Sequence, residues 1–143
     1  MIENRNEIEI QATAEEVWNI LAALEQYAEW NPLLYCAEGK VEVGGRVKVS
    51  TKTASSEMDF DCVVVKAEPN REFAWKFHVI HPFLFRGEHS FRIERVSEQS
   101  VKFIDRESFE GLLAPFRAKY LKTDVKAAMI EMGKALKERE EKR

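Results

Sequence analysis

Residues 101–136 read VKFIDRESFEGLLAPFRAKYLKTDVKAAMIEMGKAL, and the hydrophobic period changes within this stretch. Val101, Phe103, Asp105, Glu107 and Phe109 alternate at the period of two that belongs to a strand. Phe116 and Tyr120, then Leu121, Val125, Met129, Met132 and Leu136, recur at steps of three and four, the stripe of an amphipathic helix. Pro115 suits the first position of that helix. The spacing therefore predicts a strand that feeds a long terminal helix. Lys137 to Arg143 are all charged and are expected to fray.

Upstream, the same alternation repeats. Gly87, His89, Phe91 and Ile93 form one row, with Glu88, Ser90, Arg92 and Glu94 behind it. Phe73, Trp75, Phe77 and Val79 form another, and Met58, Phe60, Cys62 and Val64 a third. Val41 and Val43 precede Gly44-Gly45, and Val47 and Val49 follow, which is the signal of a hairpin. Short turns between consecutive strands favour an antiparallel meander. At the start of the chain, Ile2, Asn4, Asn6, Ile8 and Ile10 alternate with Glu3, Arg5, Glu7 and Glu9. Thr13-Ala14-Glu15-Glu16 then reads as a capping box, in which hydroxyl and carboxylate each satisfy the other's backbone N–H. Val17, Trp18, Leu21 and Leu24 continue at helical spacing. A second short helix runs to Trp30 and ends before Pro32. The order is strand, two short helices, six more antiparallel strands and a long helix, an α+β arrangement in which a curved sheet grips the terminal helix.

Length and composition agree with one domain over residues 1–143. A chain of 143 residues with 45% apolar side chains, nine Phe, three Trp and three Tyr can bury a core unaided. The charge is −3, from 22 basic and 25 acidic residues, and this balance argues against a dedicated nucleic-acid binder. Cys36 and Cys62 lack the spacing of a metal site or redox motif and read as small apolar residues. No basic-then-apolar leader opens the chain, and no apolar run approaches the roughly 20 residues that span a bilayer. The expectation is a cytoplasmic protein, a monomer or homodimer, with no cofactor.

Several motifs sharpen the fold. Ala14-Glu15-Glu16-Val17-Trp18-Asn19-Ile20-Leu21, followed by Tyr27 and Trp30-Asn31-Pro32, resembles the opening of the START-like (SRPBCC) superfamily. Gly44-Gly45-Arg46-Val47 resembles its first hairpin, 87–94 its sixth strand, and 107–115 its last strand and the approach to the helix. The branch it most resembles is the polyketide cyclase/dehydratase-like group. The resemblance covers nearly the whole chain. It implies a helix-grip fold, with a seven-stranded antiparallel sheet wrapped around the long helix and a cavity between them. It also implies an apolar or amphipathic ligand, such as a lipid or polyketide, and a mouth framed by residues 53–57, 81–85 and 111–115. One fold hosts many activities, so the ligand does not follow from it.

The inward rows supply a candidate lining: Met58, Phe60, Trp75, Phe77, Phe91, Phe103 and Phe109 from the sheet. Leu113, Phe116, Tyr120, Val125 and Met129 would come from the helix and its approach, and Trp30, Leu33 and Tyr35 from the first loop. The alternative for each is packing without ligand contact. Polar residues inside these rows are the sharper observation. His89 is in register with Phe91 and Ile93, and Glu107 and Asp105 with Phe103 and Phe109. A hairpin between the last two strands would bring His89 near Glu107, a pair able to move a proton or orient a ligand oxygen. A structural hydrogen-bonded pair is the simpler reading. Asn4 and Asn6 are candidates for closing the far end of the cavity.

Other features point less far. His78 and His81 are three apart, face opposite sides of an extended chain and have no ligand-type neighbour in the sequence, so no metal site is expected. No phosphate loop or nucleophile motif is present. The apolar segment 81–85 reads as a gate, as a surface for a membrane or partner, or as a loop folded onto its own sheet. Arg117, Lys119, Lys122, Lys126 and Lys134 read as a solvated helix face rather than a membrane-binding one. Three functions fit: binding of a small apolar or amphipathic molecule; a cyclase- or dehydratase-type enzyme using His89 and Glu107 as acid and base; and a protein-interaction module whose cavity is filled by its own side chains.

Overall fold

The computed structural model describes residues 1–142. Strands β1 (Ile2–Ile10), β2 (Leu34–Gly39), β3 (Arg46–Lys52), β4 (Glu57–Glu68), β5 (Glu72–His78), β6 (Arg86–Ser97) and β7 (Ser100–Glu110) form one antiparallel sheet. Their order is β1-β7-β6-β5-β4-β3-β2, a meander closed at one edge by the first strand. Helix α1 (Ala14–Ala22) and a 3-10 helix (Leu24–Glu29) connect β1 to β2. The capping box that opens α1 is present: Glu16 N–H donates to Thr13 Oγ1 at 3.1 Å, and Thr13 N–H donates to Glu16 Oε1 at 2.9 Å. The sheet curls around the C-terminal helix in the helix-grip arrangement.

Two details differ from the sequence reading. The first hairpin does turn at Gly44-Gly45, but its first strand is Leu34–Gly39, and Val41 and Val43 lie in the turn. Among the described residues the charged end does not fray: helix α3 (Lys126–Glu141) continues through it. There Glu140 is buried and Glu141 accepts from Gln11 N–H. Arg143 lies outside the described residues.

The C-terminal helix is also not uniform. A 3-10 turn (Ala114–Arg117), an α turn α2 (Ala118–Tyr120) and a π segment (Leu121–Val125) precede α3. The π segment coincides with a contact to β1, where buried Asn4 Nδ2 donates to Leu121 O at 2.7 Å. An inserted side chain of this kind diverts a helical carbonyl and widens the turn. Three lysines continue the same seam. Lys122 donates to Glu3 O, Lys126 to Arg5 O, and Lys137 to Glu9 O at 2.9 Å. β1 is a sheet edge, and its free carbonyls are covered by helix lysines rather than left open to another chain.

The core occupies one end of the grip. Val17 and Leu21 of α1 and Met129, Met132 and Leu136 of α3 are buried with Ile10, Phe73, Phe91 and Phe103. Phe73 stacks on Phe91 with ring centroids 4.5 Å apart. The other end of the grip is left open.

Candidate functional site

Cross-strand register explains where the core stops and the cavity begins. One row of paired residues runs Asn6, Asp105, Phe91, Phe73 across β1, β7, β6 and β5. The next runs Asn4, Glu107, His89, Trp75, and the next Ile2, Phe109, Gly87, Phe77, Cys62. In the first row Phe73 and Phe91 stack within the core. Glu107, His89 and Trp75 of the second row and Phe109, Phe77 and Cys62 of the third face a cavity of about 300 Å³. That volume lies at the small end of ordinary ligand pockets. The protein's own side chains leave this space unfilled.

Twelve of the seventeen candidate lining residues surround this space: Leu33, Met58, Phe60, Trp75, Phe77, His89, Glu107, Phe109, Leu113, Phe116, Tyr120 and Val125. Five do not. Phe91, Phe103 and Met129 are fully buried in the core beyond the cavity. Trp30 packs edge-on against Tyr27 at 5.3 Å, under the 3-10 helix. Tyr35 is exposed, because a bulge between Leu34 and Cys36 reverses the alternation of β2. The bulge turns Leu34 inward instead. Leu34, Val49, Thr51, Thr53, Cys62, Val79, Phe85, Arg117 and Leu121 complete the lining. Val49, Thr51 and Thr53 continue the alternation of Val47, and Cys62 that of Met58 and Phe60, so those signals were in the sequence. Cys36 is exposed, not buried. Burial in the wall pushes the Cys62 thiol up to about 12, ahead of the nearby Asp61 and Glu107 charges.

The polar floor holds three side chains. His89 Nε2 lies 2.5 Å from Asp105 Oδ1, and His89 Nδ1 lies 3.8 Å from Glu107 Oε2. The pairing with Glu107 is directly across the ladder, whereas Asp105 reaches His89 diagonally from its place opposite Phe91. The imidazole stacks on Phe91 at 4.0 Å and meets the edge of Trp75 at 6.1 Å, which fixes its plane. Burial alone would lower the His89 pKa. The Glu107 and Asp105 carboxylates outweigh it, and the net shift is upward. Glu107 is raised by burial, with the Asp105 charge adding to it and His89 opposing. Asn4 donates to Leu121 O and sits beside Glu107 at this end. The half-buried Asn6 lies against Gly133 of α3, where an added Cβ would come within 2.9 Å of Asn6 Nδ2. Asn6 thus stands one row beyond the cavity floor.

The mouth is built from three segments held together. Tyr120 OH and Thr53 Oγ1 are 3.0 Å apart, and the Arg117 guanidinium lies 4.8 Å over the Tyr120 ring. Leu112 N–H donates to Phe83 O and Leu113 N–H to Leu84 O, joining the 81–85 loop to the approach of the helix. Gly111 makes this possible: its φ is +115°, and a Cβ would sit 2.4 Å from Leu84 O. Phe85 turns in against Phe109, while Phe83, Leu112 and Phe116 stay largely exposed on the rim. The 81–85 segment therefore divides between lining and surface. His81 Nδ1 accepts from Phe83 N–H within the same loop, and His78 pairs across the sheet with Arg86. Among the described residues no cluster of His, Cys, Asp or Glu could hold a metal ion. No helix of the described residues is long and apolar enough to cross a membrane.

Residues 1–141 match the family described as polyketide cyclase / dehydrase and lipid transport. The chain belongs to that family. Solved structures of the same fold share little sequence with this family member. The Zhui aromatase/cyclase from Streptomyces sp. R1128 is 18% identical with a TM-score of 0.80, covering 99% of this chain and 94% of that one. A START superfamily protein from Mycobacterium smegmatis is 18% identical with a TM-score of 0.75, covering 98% and 97%. A hypothetical protein from Helicobacter pylori is 13% identical with a TM-score of 0.82, covering 97% and 88%. No curated protein matches the chain in sequence. At these identities the likeness is one of fold, and the function must be argued from the cavity.

Proposed function

We propose that this protein binds a small apolar or amphipathic molecule in the cavity between its sheet and its C-terminal helix. The observation that carries the reading is the cavity itself: about 300 Å³, walled by Met58, Phe60, Trp75, Phe77 and Phe109, with a polar floor and a rim of exposed apolar side chains. Burial of apolar ligand surface there would contribute about 25 cal/mol per Å² before the costs of ordering. Native mass spectrometry of the freshly purified protein, then extraction, tests for a co-purifying apolar compound. A parallel titration with 2-ethylnaphthalene, followed by tryptophan fluorescence, uses Trp75 in the cavity wall as reporter. Binding is expected in the wild type and is expected to be lost when Thr51→Trp fills the space. Failure of both measurements in wild type would count against a ligand cavity.

A second reading is favoured by one specific feature, the Glu107 carboxyl beside His89 on the cavity floor. An acid and a base so placed would serve proton transfer in a cyclase- or dehydratase-type reaction on a folded substrate. Turnover of polyketide-like substrates that persists unchanged in a folded His89→Gln, Glu107→Gln variant would remove these residues from that role.

A further inference from the structure

The Glu107 side chain is nine-tenths buried, yet among the described residues it makes no hydrogen bond; its nearest recorded polar partner is His89 Nδ1 at 3.8 Å. His89 Nδ1 likewise has no hydrogen-bond partner, since the ring is anchored through Nε2 to Asp105. Both residues line the cavity. A buried polar group without a partner is costly, and in native proteins such a group usually meets water or a ligand. We infer that the cavity selects ligands carrying a carbonyl group, whose oxygen docks between His89 Nδ1 and the Glu107 carboxyl. This rests on the reading of the cavity as a ligand site.

The geometry favours a carbonyl over other groups. Two donors 3.8 Å apart can each reach one oxygen at about 2.8 Å. A carbonyl oxygen has two lone pairs in one plane and can accept both bonds at once. Charge favours the same choice. Asp105 and His89 neutralise one another across 2.5 Å, so His89 keeps its Nδ1 proton as a donor. One imidazolium can balance only one of the two buried carboxyls, and it lies on Asp105 at 2.5 Å; the cost of burying a second, unbalanced charge favours the neutral form of Glu107, which donates. The floor thus offers two donors and no net charge to a cation. An anion finds no cation there beyond the neutralised imidazolium, because Arg117 belongs to the mouth. The imidazole is held in plane by Phe91 and Trp75, so the donor pair is set before a ligand arrives.

The test is a matched set of probes: 2-acetylnaphthalene, 2-ethylnaphthalene and the cation of 2-naphthylmethylamine. Each is titrated into wild type, Glu107→Gln and Glu107→Leu by calorimetry. In wild type the ketone is expected to bind roughly tenfold more tightly than the hydrocarbon, the gain of one or two net hydrogen bonds. Glu107→Gln keeps a donor and is expected to retain most of that preference. Glu107→Leu is expected to lose the preference and bind both alike, with an unaltered circular dichroism spectrum showing that the fold is intact. Equal binding of ketone and hydrocarbon in wild type would overturn the carbonyl site and leave the ligand cavity standing. A preference for the amine would also overturn it, by showing Glu107 ionised. Binding of none of the three would overturn the cavity reading and this inference with it.

Discussion

His89 Nε2 and Asp105 Oδ1 lie 2.5 Å apart, and neither side chain is more than 2% exposed. The second carboxylate oxygen, Asp105 Oδ2, is buried without a hydrogen bond among the described residues. The carboxylate therefore depends on the imidazolium for most of its stabilisation. Removing one partner of a buried ion pair leaves the other uncompensated, at a cost of about 3–5 kcal/mol. Asp105→Ala is expected to lower the unfolding free energy by an amount in that range, and Asp105→Asn by somewhat less. A chemical-denaturation series checks both, and a loss under 1 kcal/mol in Asp105→Ala would mean that the pair carries no weight.

The proton on His89 should be readable directly. Asp105 and Glu107 face the ring; Tyr27, whose own hydroxyl donates to Leu21 O and is raised by burial and by Asp105, is a further group coupled to this cluster, as is Cys62. The folded pKa of His89 stands above its ordinary 6.5, against burial and because of the two carboxylates. The folded state thus binds a proton that the unfolded chain releases. That contribution to stability is complete below pH 6.5 and is lost as pH rises through the folded value. Glu107 acts in the same direction, since its raised carboxyl resists ionisation above its ordinary 4.5. Imidazole NMR titration is expected to find His89 protonated above pH 6.5 in wild type. In Glu107→Gln the transition is expected to move down, because the negative charge that Glu107 takes on as pH rises, which favours the imidazolium, is gone. An unmoved transition would show that Glu107 does not reach the ring electrically.

Gly87 is where the sheet makes room for the cavity wall. It pairs with Phe77, and a Cβ added there would lie 2.4 Å from Phe77 Cζ and 2.9 Å from Ser108 O. The Phe77 ring covers the glycine and forms part of the lining. Gly87→Ala is expected to cost about 1–3 kcal/mol, the range for overpacking a close-packed site. It should also tilt Phe77 into the cavity, so affinity for 2-ethylnaphthalene should fall in step with stability. Calorimetry and thermal melts on one preparation test both. Unchanged ligand affinity beside a clear stability loss would place the strain in the backbone at Ser108 instead.

Alternation made the sheet legible from Met58 to Phe109, because a half-buried strand must place every second residue inward. It also brought His89 and Glu107 to one face. What alternation lacks is depth. Phe77 and Phe91 follow the same pattern, yet one lines the cavity and the other lies fully in the core, because the helices close over only one end of the sheet. The diagonal reach from Asp105 to His89 was hidden for a similar reason: register pairs Asp105 with Phe91 and says nothing of side-chain direction along the strand. Tyr35 was misplaced by a bulge that leaves no trace in composition. The π segment has no helical signature of its own, since its partner, Asn4, lies 117 positions away.

Position 4 therefore gives the last expectation. Asn4 Nδ2 donates to Leu121 O at 2.7 Å, in a buried setting, at the first residue of the π segment. Asn4→Ala would strand that carbonyl, and leaving a buried acceptor unsatisfied costs about 1–3 kcal/mol. Against this, Asn4 Oδ1 is itself buried without a hydrogen bond among the described residues, and alanine removes that penalty. The two largely offset, and a net change within about 1 kcal/mol is expected. The local effect should exceed the global one. With the diverting side chain gone, Leu121 can return its carbonyl to the helix, and 121–125 can tighten toward the α geometry. Leu121 and Val125 both line the cavity, so this shift would change its wall. Amide exchange at 121–126 is expected to change by more than at Met129 or Met132 in the same variant. Uniform change along the helix would mean that Asn4 supports the whole grip rather than the π turn.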